Sequence, residues 1–308
     1  MTRQKIHFII NPRSAGGSTG KGQQVLLEQI QRLPGEVSHS LTQAQGHATE
    51  LAAAAVQSGV NVIAVAGGDG TISEVVSGIL QTAAPKKPAI VVINRGTGGD
   101  FCRSLGVPSD LSLALEQIQD GRDMAIDAGR IQYQSRSGQS ASRYFVNVAG
   151  CGMAGAVVEA INKSSKRFGG LSYFLTSSQV LWRYRNRKVR IQLDDGDYME
   201  TKIVTVAICN GQFFGGGMQI GPEAQLSDGQ FDVVILGNWN KLQSLWYSKN
   251  LYNGSIHRAK KVSVHRASKV RIEPLEPGDQ IYIDCDGEDV GFAPVEIELL
   301  PKAVTFRI

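Results

Sequence analysis

Cysteine is scarce in this chain of 308 residues, which contains only four. They are widely separated and show none of the paired spacings that hold zinc or build a disulfide framework. A disulfide-rich secreted scaffold and a cysteine-based metal centre are therefore excluded. We expect reduced residues of a cytoplasmic protein at Cys102, Cys151, Cys209 and Cys285.

Long apolar runs are also missing. No segment approaches the roughly 18 apolar residues that span a bilayer, so we expect no transmembrane helix. The apolar part of the N-terminal segment, residues 6–10, is too short for a signal peptide and predicts a first buried strand instead. With 42% hydrophobic and 19% charged residues and no low-complexity tract, the composition is typical of a globular protein. The length of 308 residues fits one large domain or, in preference, two domains.

Apolar strands alternate with helical segments over residues 1–127. Repeated units of this kind build a parallel sheet with helices on both faces. The sequence therefore predicts an N-terminal α/β domain whose ligands bind at the carboxyl ends of its strands. The predicted strands are 6–10, 37–41, 60–66 and 89–93, and the predicted helices are 22–33 and 46–58.

Short alternating strands dominate from residue 128 onward. Turns rich in glycine, aspartate and proline separate them, as in an antiparallel β-sandwich. We expect helical interruptions at 154–184 and 242–250, and a second domain over residues 128–308 whose last residues are free to return to the first. The predicted strands are 128–133, 144–148, 189–193, 203–209, 231–236, 269–272, 281–285 and 295–299.

Three glycine-rich turns follow predicted strands of the first domain, at residues 11–17, 67–71 and 96–100. In the second, an apolar strand leads into Gly-Gly-Asp-Gly-Thr and then into a segment with helical spacing. Glycines let the backbone approach a phosphate, and the free N–H groups of a helix start favour the anion. A carboxylate such as Asp69 can hold magnesium beside that phosphate. Three turns at one sheet edge predict a nucleotide site, although each alone is compatible with a tight turn that binds nothing.

Four motifs in a fixed order extend this interpretation. They are Asn-Pro-Arg-Ser at 11–14, Gly-Gly-Asp-Gly-Thr at 67–71, Gly-Thr-Gly-Gly-Asp-Phe at 96–101 and Asp-Gly-Glu at 286–288. With them, the chain resembles the diacylglycerol-kinase-type lipid kinases nearly end to end, in particular the soluble bacterial relatives of sphingosine and ceramide kinases. The resemblance implies a Rossmann-like, NAD-kinase-like α/β domain followed by an antiparallel β-sandwich domain. It also implies transfer of the ATP γ-phosphate, with Mg²⁺, to a hydroxyl of a diacylglycerol- or phosphatidylglycerol-like lipid.

The same resemblance implies roles for individual residues. Glu288 is the expected general base, and Asp69 the carboxylate nearest the phosphates. From the residues alone, Glu288 also fits an acidic hairpin, and Thr42 fits a strand-end hydroxyl that caps a turn. The implied nucleotide-binding residues are Asn11, Ser14, Thr42, Gly68, Asp69, Gly70, Thr71, Ile72, Ser73, Glu74 and Thr97.

A second, structural magnesium site is implied after Gly-Pro-Glu-Ala at 221–224. Its ligands would be the carboxylate of Asp228 and the backbone carbonyls of Gln225 and Gln230, which suit a hard ion. A plain Ser-Asp-Gly turn fits these residues equally well. The chain departs from its relatives at Gly99, where they usually have asparagine; the missing amide removes a hydrogen bond of about 0.5–1.5 kcal/mol near the nucleotide.

Half of the 32 lysines and arginines lie in two stretches without aspartate or glutamate, residues 163–190 and 241–272. Aromatic residues are interleaved with them, a combination suited to the headgroup layer of an anionic membrane. We expect a cytoplasmic protein bound peripherally to the inner face of the membrane, with a membrane lipid as substrate, no nucleic acid partner and a homodimer as a plausible state. A solvated basic face over a normal aromatic core is the alternative.

Two other functions remain open. An NAD kinase also carries a Gly-Gly-Asp-Gly-Thr loop, but no later segment resembles its Thr-Gly-Ser-Thr-Ala-Tyr. A catalytically idle lipid- or nucleotide-binding regulator on the same fold is disfavoured by intact Asp69 and Glu288, while Gly99 leaves it open.

Overall fold

The computed structural model describes residues 4–14, 23–96, 99–107, 110–163 and 179–308. The chain divides into two compact units, one formed by residues 1–127 with 301–308 and the other by residues 128–300. The expected fold class is confirmed: the first unit is α/β and the second is rich in β-strands.

The elements of the first unit begin with a buried strand. They are β1 (Lys5–Ile10), α1 (Gln23–Ile30), β2 (Glu36–Leu41), α2 (His47–Gln57), β3 (Val62–Gly67), α3 (Asp69–Gln81), β4 (Ala89–Asn94), α4 (Asp100–Leu105) and α5 (Leu111–Asp120).

The remaining elements are mostly strands, and the first and last of them continue into the first unit. They are β5 (Asp123–Gln134), β6 (Ser140–Phe145), β7 (Val148–Gly152), α6 (Met153–Lys163), β8 (Arg187–Leu193), β9 (Met199–Cys209), β10 (Phe213–Phe214), β11 (Met218–Gln219), β12 (Phe231–Gly237), α7 (Lys241–Ser248), β13 (Val262–Ala267), β14 (Lys269–Pro274), β15 (Tyr282–Cys285) and β16 (Glu288–Arg307).

The first unit is a parallel sheet in the order β2-β1-β3-β4-β16. The chain steps from β1 outward to β2 and then reverses past β1 to β3. Right-handed crossovers place α1 on one face and α2 with α3 on the other. The carboxyl ends of β1 and β3 therefore form a topological switch point, where such sheets bind their ligands.

Both faces of this sheet are covered. Ile6, Phe8 and Ile10 of β1 are buried in one core cluster with residues of α1 and α5. On the opposite face α2 and α3 approach closely, since a methyl group at Gly78 would lie 2.3 Å from the backbone oxygen of Thr49. Only glycine permits this approach.

The sheet edge beside β4 is completed by the far end of the chain. Thr305 and Phe306 pair in parallel with Ala89 and Ile90 of β4. The ring of Phe306 is fully buried and lies 5.2 Å, between ring centroids, from that of Phe101. Residues 301–308 are therefore an integral part of the α/β unit.

The second unit contains a closed circuit of antiparallel strands, β7-β9-β8-β14-β16-β15 and back to β7. Two long strands serve as its corners. The first half of β9 pairs with β8 and its second half with β7 and β12; β16 pairs first with β15 and then with β14. The circuit encloses a core of buried aliphatic and aromatic side chains that includes Phe145 and Phe231.

Several element predictions were wrong in detail. The predicted strand 144–148 is two strands, β6 and β7, with a turn between them, and β13 was not predicted. Of the predicted helix 154–184, the structure has α6 at its start, while residues 164–178 lie outside the described residues. All four cysteines are unpaired and buried. Among the described residues, no helix has the length and apolar character needed to cross a membrane.

Candidate functional site

The glycine turns after β3 and β4 lie in direct backbone contact. A Cβ atom at Gly96 would lie 2.7 Å from Cα of Gly68, and one at Gly68 would lie 3.1 Å from Cα of Gly96. A Cβ at Gly67 would meet the Thr71 side chain at 2.6 Å. Side chains are thus sterically excluded from both turns, which leaves bare backbone beside the start of α3. This is the surface that a phosphate group can approach.

The turn after β1 is joined to the start of α3 across the switch point. Asn11 Nδ2 donates to Thr71 Oγ1 over 2.9 Å, and the backbone N–H of Asn11 donates to the carbonyl oxygen of Ala66 over 2.8 Å. The Ser14 hydroxyl donates to the carbonyl oxygen of Asn11 over 2.8 Å. The structure therefore brings Asn11, Ser14 and Thr71 together as predicted from their turns, and their contacts organise the loop itself.

Asp69 is the first residue of α3, a helix of 13 residues. Its Oδ2 accepts the backbone N–H of Asp100 at 3.0 Å and its Oδ1 that of Phe101 at 3.3 Å, so the half-buried carboxylate ties β3's turn to the start of α4. Burial raises the pKa of Asp69; these N–H groups oppose the rise, and the neighbouring Asp100 carboxylate adds to it. The two backbone contacts leave each oxygen a further lone pair.

The Asp69 carboxylate fits a magnesium ion that arrives with a nucleotide. In nucleotide sites the ion takes one or two carboxylates and completes its shell with phosphate oxygens and water. Asp69 supplies one such carboxylate; the neighbouring Asp100 is already paired with Arg103 Nη1 over 2.8 Å. Among the described residues no group of three His, Cys, Asp or Glu side chains is arranged to hold a metal by itself. A single carboxylate suits an ion that takes its other ligands from phosphate oxygens and water.

Both carboxylate oxygens of Glu74 accept hydrogen bonds from backbone N–H groups. Its side chain is 8% exposed, Oε1 accepts the N–H of Gly46 at 2.8 Å, and Oε2 accepts that of Ala48 at 3.1 Å. The Thr49 hydroxyl donates to the Glu74 carbonyl oxygen over 3.0 Å. Glu74 thereby caps α2 and fixes the loop that follows Thr42, whose own N–H donates to the carbonyl oxygen of Ile10 over 2.9 Å.

Two other predicted residues point inward. Ile72 is 1% exposed and Ser73 is fully buried, so their side chains belong to the packing of α3. Any contact they make with a nucleotide would come from the backbone, as it would for Gly68 and Gly70. Thr97 lies outside the described residues.

At Gly99, where relatives usually have asparagine, the structure has the side chain of Asn94 close by. Gly99 has φ +61°, and a Cβ atom there would lie 2.7 Å from Asn94 Nδ2. Asn94 Oδ1 accepts the N–H of Gly96 at 3.1 Å. The amide group of Asn94 therefore occupies the space in which a side chain at position 99 would begin. Sequence reasoning missed this residue because it ends a strand five positions earlier.

In the second unit, Asp286 and Gly287 form a two-residue turn between β15 and β16 with φ +50° and +79°. Such positive values suit Asp-Gly hairpins. The Asp286 carboxylate accepts the backbone N–H groups of Val146, Asn147 and Val148 at 3.0–3.1 Å. The Asp286 carboxylate therefore stabilises the turn between β6 and β7.

Glu288 follows that hairpin and pairs with an arginine. Its Oε2 accepts from Arg143 Nη2 at 2.8 Å, and the two side chains are 18% and 22% exposed. Burial is the largest single influence and lowers the pKa of Arg143, but the charge and hydrogen bond of Glu288, together with Cys285 and Asp286, raise it overall. Arg143 lies 145 positions from Glu288 along the chain, and no local motif indicated it.

The residues of the implied structural metal site do not fit a divalent cation. Asp228 Oδ1 accepts the N–H of Gln230 at 3.2 Å, and Oδ2 is paired with Arg266 Nη2. Arg266 Nε also lies 3.7 Å from Asp232 Oδ1. A guanidinium group thus already neutralises this loop.

Comparisons with known proteins agree with both units. Residues 5–131 match the model of the diacylglycerol kinase catalytic domain, and residues 147–307 match the YegS C-terminal NAD kinase beta sandwich-like domain. The diacylglycerol kinase of Staphylococcus carnosus (strain TM300) is 31% identical over 294 residues, which cover 95% of this chain and 91% of that protein. The diacylglycerol kinase of Bacillus subtilis (strain 168) is 28% identical over 295 residues, covering 95% and 92%.

Solved structures show the same fold. A crystal structure of a diacylglycerol kinase from Bacillus anthracis str. Sterne aligns with a TM-score of 0.68 at 23% identity, covering 99% of this chain and 97% of that one. An NAD kinase from Archaeoglobus fulgidus, solved in complex with ATP, aligns with a TM-score of 0.53 at 14% identity, covering 98% and 92%. At these identities the likeness is one of fold alone.

Proposed function

The chain belongs to the diacylglycerol kinase family, and from that membership we propose that it transfers the γ-phosphate of ATP to the hydroxyl of a diacylglycerol- or phosphatidylglycerol-like membrane lipid. The observation that carries the proposal is the contact of Gly68 with Gly96 beside Asp69 at the switch point of the α/β unit. Bare backbone, a helix start and a carboxylate are what a magnesium nucleotide needs.

We assign the nucleotide to the loops after β1, β2, β3 and β4. The N–H groups at the start of α3 would donate hydrogen bonds to phosphate oxygens. Glu74 would fix the loop that follows Thr42 through its bonds to the N–H groups of Gly46 and Ala48. Asp69 would hold Mg²⁺, which when bound offsets the negative charge of the phosphates. Relatives usually have an asparagine at the position of Gly99, and the side-chain amide of Asn94 would take its place.

Glu288 is proposed as the group that receives the lipid proton. The lipid hydroxyl oxygen forms a bond to the γ-phosphorus while the bond from that phosphorus to the β–γ bridging oxygen breaks and ADP leaves. The hydroxyl proton passes to the Glu288 carboxylate, and because the transition state is loose, little early proton removal is required. Arg143, bonded to one oxygen of Glu288, acts as a positioning residue for that carboxylate.

Transfer of labelled γ-phosphate to a panel of dispersed lipids, with NAD in a parallel reaction, tests the proposal. We expect a labelled lipid with wild type, and its loss in Asp69→Asn and Glu288→Gln with unchanged thermal unfolding. Glu298→Gln is a matched control, since Glu298 lies on the same strand and is also paired with an arginine, Arg130, at the surface.

Each remaining outcome has a distinct meaning. Label in NAD would identify a soluble NAD kinase instead. ATP and lipid binding without any labelled product would identify an idle regulator. A fully active Glu288→Gln variant would remove the proton-accepting role from Glu288 while leaving the kinase assignment intact.

A further inference from the structure

The apolar side chains of α7 and of the turn after it point to solvent. Leu242, Leu245 and Trp246 are 71%, 57% and 66% exposed, and their spacing places them on one side of the helix. Tyr252 is 65% exposed. We name these four residues the α7 stripe. Exposed apolar surface of this kind marks an interaction site.

The α7 stripe is held on a rigid base. Ser244, on the opposite side of α7, is buried, and the Tyr247 ring packs on Trp239 with 5.1 Å between centroids. Asn240 and Gln243 form a capping box at the helix start. Lys241 Nζ donates to the carbonyl oxygen of Leu181 over 2.6 Å, which places the segment of the exposed Trp182 beside this helix.

The charge around the α7 stripe is of one sign. No aspartate or glutamate occurs between Val233 and Ile272. Lys249 Nζ lies 4.2 Å from the ring centroid of Trp246. Within the part of the chain that the structure describes, the following cations of this region form no ion pair with a carboxylate: Arg183, Arg185, Lys241, Lys249, Arg258, Lys260 and Lys261.

We propose that the α7 stripe docks on an anionic phospholipid bilayer, with α7 lying in the plane of the interface. Leucine and aromatic side chains would enter the headgroup layer while the lysines and arginines contact lipid phosphates. The complementarity of an acid-free basic surface to anionic headgroups favours this occupant over a protein partner. The inference rests on the proposed function in one respect, that the lipid substrate resides in such a bilayer.

Co-sedimentation with vesicles separates this inference from the kinase assignment. We expect wild type to bind phosphatidylglycerol-containing vesicles and to bind pure phosphatidylcholine vesicles weakly. The variant Leu242→Ser/Leu245→Ser/Trp246→Ser should bind at least about tenfold more weakly, and Lys249→Glu/Lys260→Glu should lose the preference for anionic lipid. Val25→Ser/Leu113→Ser is the control, since both side chains are exposed apolar residues of the other unit.

Kinase assays distinguish a failure of the membrane-docking inference from a failure of the proposed function. The triple serine variant should retain phosphorylation of a short-chain lipid dissolved in detergent but lose it on vesicles. Vesicle binding equal to wild type in that variant would overturn the inference, as would a loss of self-association in place of a loss of vesicle binding. Absence of kinase activity in every protein would refute the proposed function without affecting the sedimentation result.

A second observation, independent of the α7 stripe, concerns the loop of Asp228. The carboxylate of this residue is paired with Arg266, a cation on β13. Arg266 lies directly opposite Asp232 in the pairing of β12 with β13 and contacts the carboxylates of both Asp228 and Asp232. Burial raises the pKa of Asp232, and the charge of Arg266 opposes that rise. We infer that in this protein Arg266 takes the place of the structural divalent ion.

Thermal unfolding of the nucleotide-free protein tests this inference. Wild type should melt at the same temperature with magnesium as with a chelator. Arg266→Met should melt several degrees lower, by about 3–5 °C, because it leaves the buried Asp232 carboxylate without its cation, whereas Arg190→Met, whose partner Glu273 is 30% exposed, should change little. A wild-type melting temperature that rises with magnesium would overturn the inference, and so would an unchanged Arg266→Met.

Discussion

Asp284 gives the second unit a stability that depends on pH. It is 4% exposed, and within the described ranges its Oδ1 has no hydrogen-bond partner. It faces Gly150 on β7, where a Cβ atom would lie 2.1 Å from that oxygen. Burial, together with repulsion from the carboxylates of Asp286 and Asp289, raises the pKa of Asp284 from 3.8 to about 7.

The sign and size of the effect follow from the proton balance. Between about pH 4 and pH 7 the folded protein keeps a proton that the unfolded chain has released, so the free energy of unfolding falls as pH rises. The slope is about 1.4 kcal/mol per pH unit, and the whole loss is on the order of 4 kcal/mol. Above about pH 7 the loss is complete and stability no longer depends on Asp284.

Asp284→Asn removes the titration while keeping the shape of the side chain. Relative to wild type, its free energy of unfolding should increase by about 3 kcal/mol between pH 5 and pH 8, because only wild type loses stability over that interval. Urea unfolding at the two pH values measures the difference. The surface variant Glu298→Gln controls for general effects of removing a charge. An equal difference between Asp284→Asn and wild type at both pH values would refute the reasoning.

Three further results are expected. Glu74→Ala should lower the free energy of unfolding by about 2 kcal/mol in urea, because it leaves the buried N–H of Ala48 and the partly buried N–H of Gly46 without their acceptor; a loss below about 1 kcal/mol would contradict the capping role. Gly96→Ala should abolish the rise in melting temperature caused by ATP without unfolding the protein, because the methyl group would collide with the backbone of Gly68. Gly138→Ala is the control: it has open space but a φ of +78°, so it should lower the melting temperature itself and keep the rise caused by ATP. Arg143→Met should lower kcat for lipid at least about tenfold with the ATP-induced shift unchanged, and an unchanged kcat would exclude Arg143 from positioning Glu288.

Patterns that are local in sequence predicted much of the fold. The run of Val62–Gly67 has apolar residues on both faces, which is typical of a central parallel strand, and the structure has β3 there. The missed strand Val262–Ala267 carries serine, histidine and arginine and lies at the edge of its sheet, where polar side chains meet solvent. The error at 144–148 arose because Asp286 binds the backbone of residues 146–148 and ends one strand before the next begins.

Some residues of the candidate site are likewise indicated by local sequence, and others are brought together only by the fold. Gly68, Asp69 and Asn11 belong to turns whose composition reveals them. Arg143 and Arg266 lie 145 and 38 positions from the carboxylates they pair with, and only the fold brings each pair together. Glu74 was predicted from its place in a motif, and the structure adds its bonds to the backbone of Gly46 and Ala48; the direct roles of all the predicted residues toward a nucleotide stay predictions.

The return of residues 301–308 to the first unit has a consequence for synthesis. The sheet edge at β4 and the partner of Phe101 are supplied only after the whole of residues 128–300 has been made. The sheet of the α/β unit therefore lacks one strand until residues 301–308 are present. Chains cut short before Pro301 would expose the backbone of β4 as an open edge, a site for aggregation or proteolysis. Truncation before Pro301 therefore damages the unit that contains Asp69, although Asp69 lies far from the cut along the chain.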